Sequence, residues 1–456
     1  MKFIPSLDPN FKPAVLEVRE FINRVKNSDS ESEVAICVER TRGYNYIYRM
    51  PAFLDNTGHD DENYFVIERI IKSILWMVGG FKVYIAGSKV LADKLMQDYS
   101  ATGSRSFDAN FMGRVYESEF TVVYCDFDDL PESSTPDITM ENALNGNRIG
   151  FDAGGSDRKV SAVINGEVQF SDETVWFPKI NSDPQYHREG ILESMRSAAS
   201  YLPKVDAIGV STAGIVVDNR IMVASLFIKV PEEEFDSKVK NIYLDIAKEF
   251  GDVPIVVAND GDVTALAGAM ELNDDKVLGI AMGTSEAGGY IGQGGKLLGW
   301  LNELAFAPVD FNTDAMVDEW SGDYGCGVKY FSQDSVIKLA GYAGIKLDEE
   351  FSPAKKLSII QDMNRDNDPI ANEIFENIGI YLGYTIAYYA MFYDIKHVLL
   401  LGRVMSGKGG NSIVAKAREV LYNEFNELAN IVMHLPSEMN RRVGQSIAAA
   451  SLPKVE

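Results

Sequence analysis

The chain has 456 residues, of which 46% are hydrophobic and 24% charged, and its formal net charge is −24. A chain of this size and composition folds around a sizeable core without disulfides, and its acidity argues against binding nucleic acids or anionic membranes. The scattered cysteines Cys37, Cys125 and Cys326 suit a reducing compartment. The sequence shows neither a signal peptide nor an uncharged apolar stretch of membrane-spanning length, so we expect a cytoplasmic protein.

Residues 1–130 have the pattern of a mixed α/β domain. We predict strands over 34–38, 44–49, 81–86 and 120–126, and helices over 63–78 and 89–99. The domain lacks a basic recognition helix, so we expect no DNA binding. Two roles stay open for it, covering a cleft or forming an oligomer contact.

Residues 131–147 are polar, contain Pro131 and Pro136, and are predicted to be a linker. From residue 148 to 452, strand and helix patterns alternate. The predicted strands cover 148–151, 159–164, 167–176, 207–211, 253–258, 277–282 and 397–401, and the predicted helices cover 190–202, 263–270 and 372–393.

A glycine-rich turn follows the first of these strands and contains Asp152, Gly154, Gly155, Ser156 and Lys159. Adjacent glycines let backbone N–H groups turn toward an anion, and Ser156 adds a hydroxyl. Asp152 is placed to hold Mg²⁺ through water. Taken alone, the segment is more typical of a hairpin with a Gly-Gly turn.

A second such turn, beginning at Gly283 and Thr284, follows the strand predicted over 277–282. Each turn alone is weak evidence. Two phosphate-binding turns, each preceded by a strand, are typical of an ATPase that holds a nucleotide from both sides.

Asn259 and Asp260 stand between a predicted strand and a predicted helix, where α/β folds place catalytic groups. Asp260 can accept the proton of an attacking hydroxyl during phosphoryl transfer, and Asn259 can hydrogen-bond a sugar. The alternative is that Asp260 or Asp262 only caps the helix.

Gly402 and Arg403 follow the strand predicted over 397–401. Small residues there would let an adenine ring lie against the backbone. A plain turn between strand and helix is the alternative.

In this order, these segments resemble the ROK family of sugar kinases and sugar-responsive repressors, within the actin/hexokinase/Hsp70-like superfamily. The resemblance spans residues 148–452. It implies an α/β, two-lobed actin-like ATPase (ribonuclease H-like) fold, here with an extra N-terminal α/β domain. It also implies ATP and Mg²⁺ as cofactors, a small-molecule sugar substrate, and a homodimer or tetramer.

The resemblance implies roles for single residues. Asp260 would be the general base, and Thr212, Gly214, Asn259 and Glu303 would contact the sugar. Residues 444–450 are similar to the C-terminal helix that closes the family's nucleotide site.

The sequence also departs from the family pattern. Phe306 stands where the family has a sugar-binding histidine, and Val328 where it has a glutamate. Glu319 and Ser321 replace two zinc-binding cysteines, leaving Cys326 alone, so we predict that no zinc is bound.

Other groups are then needed to bind the substrate, unless it is not a plain hexose. Asp310, Asp323 and Arg158 are candidates. The sequence therefore favours an ATP-dependent carbohydrate kinase. A non-catalytic sensor of a sugar or nucleotide is the alternative, and a filament-forming actin relative has no specific support.

Overall fold

The computed structural model describes residues 1–136, 144–223, 225–435 and 440–454, with the backbone alone for 440–443. Part of the predicted linker, residues 137–143, lies outside this set. The chain divides into two compact units. Unit 1 comprises Met1–Thr135, Ile280–Gly288 and Asn302–Leu435, and unit 2 comprises Pro136–Gly279, Gly289–Leu301 and Pro436–Glu456.

The N-terminal part of unit 1 is built on a four-stranded sheet. Its elements are α1 (Ala14–Lys26), β1 (Glu31–Glu39), β2 (Asn45–Phe53), α2 (Asp60–Met77), β3 (Lys82–Ala86), α3 (Lys89–Asp98), α4 (Ser106–Tyr116) and β4 (Thr121–Tyr124). The strand order is β2-β1-β3-β4, with β1 antiparallel to both neighbours and β3 parallel to β4. Residues 34–38 of the central strand β1 are all buried, as a strand covered on both faces requires.

All four strands and both helices predicted in this region are confirmed, with shifted ends. Helices α1 and α4 were not predicted. Pro13 precedes α1 and Arg105 precedes α4, and neither side chain caps the helix. The polar N-cap that marks a helix start in a sequence is therefore absent at both.

Unit 2 begins with a five-stranded mixed sheet. The next elements are β5 (Asn147–Ala153), β6 (Asp157–Ile164), β7 (Glu167–Val175), α5 (Pro184–Ala199), β8 (Ala207–Thr212), β9 (Ile215–Val217), β10 (Arg220–Val223), α6 (Glu232–Glu234), α7 (Ile242–Ala247), β11 (Ile255–Asn259) and α8 (Asp260–Leu272). The order is β11-β8-β5-β6-β7, parallel from β11 to β5 and antiparallel from β5 to β7. The carboxyl ends of β5, β8 and β11 therefore meet at one edge.

The rest of the chain adds a second four-stranded sheet and its helices. These elements are β12 (Val277–Met282), β13 (Glu286–Ile291), α9 (Gln333–Tyr342), α10 (Pro353–Arg365), α11 (Pro369–Tyr389), β14 (His397–Leu401), α12 (Gly407–Glu424), β15 (Val432–His434) and α13 (Asn440–Ala450). The strand order is β13-β12-β14-β15. The strands and helices predicted between residues 148 and 401 are confirmed, and the predicted helix over 372–393 corresponds to α11.

Helix α13 packs on β5 and β8 at two glycines. A β-carbon at Gly150 would lie 1.7 Å from the carbonyl oxygen of Ser446, and one at Gly209 would lie 1.7 Å from that of Ala449. Only glycine allows this approach. The buried guanidinium of Arg148 donates to the carbonyl of Ala450 at 3.1 Å, which fixes the end of the helix to the sheet.

Among the helices of the described ranges, none is long and apolar enough to cross a membrane.

Candidate functional site

The parallel strands of unit 2 place several polar side chains at one edge of the sheet. Asp152 is in register with Ser211, and Thr212 with Asn259. Asp260 is the first residue of α8, directly after β11. Asp152 and Asp260 therefore lie close enough for the negative charge of Asp260 to raise the pKa of Asp152.

The carboxylate of Asp152 is 3% exposed, and its Oδ1 accepts a hydrogen bond of 2.6 Å from the hydroxyl of Ser211. Burial raises the pKa of Asp152 to about 6, although the Ser211 hydrogen bond and the ammonium group of Lys159 lower it. The negative charge of Asp260 raises it further. A buried acid with a positive neighbour and a second acid nearby is typical of a functional site.

Asp260 is partly exposed, at the N-terminal turn of α8. Burial raises the pKa of its carboxyl group, and the backbone N–H groups of Gly261 and of Asp260 itself, together with Lys179, lower it. In the described part of the chain, no side chain forms a hydrogen bond or ion pair with this carboxylate. The cap of α8 is Asn259, whose Oδ1 accepts from the N–H of Gly261 at 2.7 Å. Asn259, and not Asp260, is therefore the N-cap residue of this helix.

In the glycine-rich turn between β5 and β6, the backbone of Gly154 is held by hydrogen bonds, whereas the next two residues are exposed to solvent. The N–H of Gly154 donates to the carbonyl of Asp157 at 2.9 Å, and the indole of Trp176 donates to the carbonyl of Gly154 at 2.8 Å. Gly155 and Ser156 are exposed. The turn thus presents a fixed backbone to solvent, and the exposed hydroxyl of Ser156 donates to Asp157 Oδ2 at 3.0 Å.

Two lysines flank this turn. The predicted Lys159 is paired with Asp157 at 2.9 Å and stabilises the charge on Asp152. Lys179, which the sequence reasoning missed, lies 3.3 Å from where a β-carbon of Gly155 would be, and its charge also reaches Asp260. A single lysine after β7 matches no motif, so only the fold reveals its position.

The predicted sugar-binding residues of unit 2 are already engaged within the fold. Asn259 Nδ2 donates to the carbonyl of Gly214 at 2.7 Å, which ties the loop after β8 to the end of β11. The side chain of Thr212 is buried, and its hydroxyl accepts a hydrogen bond of 3.0 Å from Tyr243. These contacts position the loop, and a direct role of Asn259, Thr212 or Gly214 with substrate stays a prediction.

The predicted nucleotide residues of unit 1 lie at the ends of neighbouring strands. Gly402 follows β14 with φ 93°, and a β-carbon there would lie 2.3 Å from the carbonyl oxygen of Met282. Gly402 and Arg403 are thus next to Gly283, at the end of β12. Thr284 and Arg403 are exposed. Both glycine turns predicted for unit 1 accordingly meet at one sheet end.

Glu286, which the sequence reasoning did not select, is the most unusual group near this end. It is 3% exposed, its Oε1 accepts a hydrogen bond of 3.4 Å from Tyr389, and its Oε2 is buried with no hydrogen-bond partner in the described part of the chain. Burial raises the pKa of Glu286 to about 8. Near neutral pH this carboxyl group is therefore largely protonated.

The segment that carries Glu303 is attached to the end of α2. The N–H of Glu303 donates to the carbonyl of Trp76 at 2.9 Å. The ring of Phe306, which stands in place of the family histidine, packs on the Trp76 indole at a centroid distance of 4.3 Å. The imidazole expected at this position is replaced by an aromatic contact within unit 1.

Residues 319–328, which correspond to the zinc-binding segment of the family, are held in place by ion pairs. Asp323 pairs with Arg69 and with Lys72, both at 2.5 Å. Cys326 is buried, and its thiol contacts the carbonyl of Asp323 at 3.6 Å. Across the described ranges, no group of three or more His, Cys, Asp or Glu side chains is arranged to hold a metal ion.

Three side chains were candidates to replace the lost sugar contacts, namely Arg158, Asp310 and Asp323. Each of them forms an ion pair or hydrogen bond within the protein. Asp323 is in the ion pairs above. Arg158 pairs with Glu193 at 2.7 Å. Asp310 accepts a hydrogen bond of 2.5 Å from the hydroxyl of Tyr330. Each has a structural partner, so the fold gives no support to their use as sugar ligands.

Comparisons with known proteins agree on one family. A model of the ROK family matches residues 148–448. A ROK hexokinase from Thermus thermophilus aligns with a TM-score of 0.53 and 17% identity, over 67% of this chain and 98% of the hexokinase. A ROK family transcriptional regulator, homologous to the MLC protein of E. coli, aligns with a TM-score of 0.50 and 18% identity, over 68% and 79% of the two chains.

A ROK family glucokinase from Streptomyces griseus, solved with glucose and AMPPNP, aligns with a TM-score of 0.46 and 21% identity, over 68% and 99%. No curated sequence gives a significant match. Identities this low show the fold alone. That fold is the two-lobed actin-like ATPase fold predicted from the sequence, with an additional N-terminal α/β region.

Proposed function

Since the chain belongs to the ROK family, we propose that it is an ATP-dependent kinase that phosphorylates a hydroxyl group of a sugar or sugar-like molecule. The family includes both kinases and regulators, so the proposal rests on the site rather than on the fold. The observation that carries it is the carboxylate of Asp260. Among the described residues no side chain forms a hydrogen bond or ion pair with it, and it lies at the strand edge that also holds Asp152 and the Gly154-Gly155 turn.

The groups at this edge fit a magnesium–nucleotide complex. Mg²⁺ is usually held by one or two carboxylates together with phosphate oxygens and water, and Asp152 supplies one such carboxylate. Gly155 and Ser156 offer an exposed backbone and hydroxyl to phosphate, and Lys159 and Lys179 supply positive charge. Bound Mg²⁺ would neutralise phosphate charge.

Within unit 1, we assign Gly283, Thr284, Gly402 and Arg403 to the nucleotide. The support is their exposure or close backbone approach at the ends of β12 and β14, and the order of the family motifs.

Asp260 acts as the general base in this proposal. Its carboxylate accepts the proton of the attacking hydroxyl as the hydroxyl oxygen bonds to the γ-phosphorus of ATP, while the bond from that phosphorus to the bridging oxygen breaks and ADP leaves with the electron pair. Burial brings its pKa closer to neutrality, which makes it a stronger base than an exposed aspartate. The positive charge of Lys179 opposes this rise in the pKa of Asp260, and it can also offset charge on the transferred group.

The substrate is proposed to be sugar-like rather than a defined hexose. Glu303 remains as one hydrogen-bonding group of the family motif, but Phe306 and Val328 cannot replace a histidine and a glutamate. A site that lacks two polar partners loses about 1–3 kcal/mol of recognition for each. A less polar acceptor than glucose fits that loss.

A second candidate function is a sensor that binds a sugar or nucleotide without turnover. The observation in its favour is the Phe306–Trp76 stack, because it fixes an apolar ring where a kinase of the family has a polar ligand. The unpartnered Asp260 carboxylate favours the kinase.

The test is ADP release by the full chain with ATP and Mg²⁺ over a panel of sugars, amino sugars and polyols. We expect acceptor-dependent turnover that Asp260→Asn lowers by at least about a thousandfold, since the base is lost. Asp252→Asn, at an exposed aspartate just before β11, is the matched control and should leave turnover unchanged. Turnover retained in Asp260→Asn would refute the mechanism, and ligand binding without turnover over the whole panel would favour the sensor.

A further inference from the structure

A cavity of about 690 Å³ lies in unit 1, away from every residue assigned to catalysis or to the nucleotide. The N-terminal segment 7–12 forms one side of it, and residues between 310 and 342 form the other. Its volume is within the usual range for small-molecule sites, about 300–1,000 Å³. None of the residues proposed to bind ATP or the sugar acceptor lines it.

The N-terminal segment is fixed in place, so the cavity has defined walls. The N–H of Lys12 donates to Asp310 Oδ1 at 2.9 Å, and the N–H of Phe311 donates to the carbonyl of Lys12 at 2.9 Å. The buried ring of Phe11 packs on Tyr381 at a centroid distance of 4.7 Å. The segment thus pairs with residues 310–311 and is anchored in the core of unit 1.

The cavity is lined by the buried ammonium group of Lys338, which has more N–H donors than hydrogen-bond acceptors around it. The side chain of Lys338 is 3% exposed, and within the described residues Nζ makes one hydrogen bond, a long one of 3.3 Å to Asp8 Oδ2. The ring of Tyr330 lies 3.9 Å from Nζ. An ammonium group has three donors, so Lys338 retains donors for a further acceptor, and burial without enough partners lowers its pKa.

The carboxylate of Asp8, beside the ammonium group of Lys338, has an oxygen that can accept a further hydrogen bond. Asp8 Oδ2 accepts from Tyr381 at 2.6 Å as well as from Lys338, whereas Oδ1 accepts no hydrogen bond within the described residues. One hydroxyl group can accept from an ammonium and donate to a carboxylate at once. The Lys338–Asp8 pair therefore matches a ligand hydroxyl better than a group that can only donate or only accept.

The remaining lining supports a neutral ligand. Three carboxylates, those of Asp8, Asp310 and Asp314, face two lysines, Lys12 and Lys338. The acids disfavour an anion, and the buried ammonium disfavours a cation. Tyr342 at the rim adds a phenol that is 57% exposed.

We propose that this cavity is a second binding site, for a small neutral polyhydroxyl molecule such as a sugar or sugar alcohol, recognised by the Lys338–Asp8 pair. The proposal does not depend on kinase activity, since a catalytically inactive chain would bind equally.

The test is isothermal titration calorimetry of the full chain, without nucleotide, against mannitol, glucose and sucrose. Glucose 6-phosphate and glucosamine are the charged probes. We expect at least one neutral probe to bind, and Lys338→Met to weaken that binding by about tenfold, the effect of one hydrogen bond. The Asp260→Asn variant should bind this probe as the wild type does.

Because Lys338 is buried and its variant could misfold, a rim variant provides a second measurement. The double variant Lys12→Met/Tyr342→Phe changes exposed groups only and should also weaken binding. Lys346→Met/Tyr422→Phe, at exposed positions that do not line the cavity, is the matched control and should bind normally. Equal binding in rim and control variants, no binding of any neutral probe, or tighter binding of a charged probe would each overturn the proposal.

Discussion

The hydroxyl of Ser211 donates directly to Oδ1 of Asp152, across the carboxyl ends of two paired parallel strands. This bond stabilises the ionised form of Asp152, whose pKa burial has raised to about 6. Ser211 is the partner that keeps a buried aspartate charged where a cation is proposed to bind.

Replacing Ser211 by Ala should therefore raise the pKa of Asp152 further, by about one unit if the bond is worth about 1 kcal/mol. Asp152 is neutral below its pKa, so the acidic limb of the pH profile of kcat/KM should move to higher pH, with activity at high pH nearly unchanged. Ser200→Ala, at an exposed serine after α5, should leave the profile in place. An unshifted limb in Ser211→Ala would contradict this role.

Lys179 gives a second prediction, because it lies beside Gly155 and acts on the charge of Asp260. Lys179→Met should lower kcat by about a hundredfold, as expected for loss of one group that stabilises developing charge. It should also move the acidic limb upward, since the pKa of Asp260 rises when the positive charge is removed. Lys204→Met, at an exposed lysine of the same unit, is the control. A loss confined to KM would mean that Lys179 only binds substrate.

From the raised pKa of Glu286 we predict that the free energy of unfolding falls as pH rises. Its folded pKa, about 8, is above its ordinary value of 4.5, so the folded state holds a proton that the unfolded state releases between these values. This contribution is complete below pH 4.5 and is lost as pH rises through 8. Urea unfolding at pH 6 and pH 9 should show a lower free energy of unfolding at pH 9, and Glu286→Gln should reduce that difference. An equal pH dependence in both proteins would rule out Glu286 as the cause.

From the lowered pKa of Asp323 we predict that its contribution to the free energy of unfolding falls as pH decreases. Burial would raise its pKa, but Arg69, Lys72 and Arg105 hold it well below its usual range. Its contribution to stability is therefore present above its unfolded pKa and lost as pH falls below that value.

Asp323→Asn should lower the free energy of unfolding at pH 7 by about 3–5 kcal/mol, because it leaves buried cations without their partner. Asp362→Asn, which breaks an exposed pair with Arg365, should cost less than about 1 kcal/mol. A small loss in both variants would show that the buried cluster contributes little.

The sequence predicted the elements whose pattern is local. The strands before Asp152, Asp260 and Gly283 are apolar runs that end in glycine or acidic residues, and all three exist at the expected places. That Asp152 and Asp260 share one edge follows from the parallel pairing of β5, β8 and β11, which the sequence analysis did not predict.

The rest depends on contacts between distant parts of the chain. The Phe306–Trp76 stack and the Asp323–Arg69 ion pair join residues 230 or more positions apart, and no local pattern encodes either. Glu286 follows the turn at Gly283 and Thr284 that is predicted to bind phosphate, yet its burial against Tyr389 appears only once α11 is in place.

Strand β5 is translated long before α13, the helix that packs on it. Arg148 donates to the carbonyl of Ala450, 302 residues later. While the chain is being made, the strand that carries Asp152 must stay without this covering helix until nearly all of those residues have been translated. Pairings this distant in sequence close slowly, and an uncovered apolar sheet is prone to association. The face of the sheet at Gly150 and Gly209 is therefore uncovered in a nascent chain that does not yet include α13.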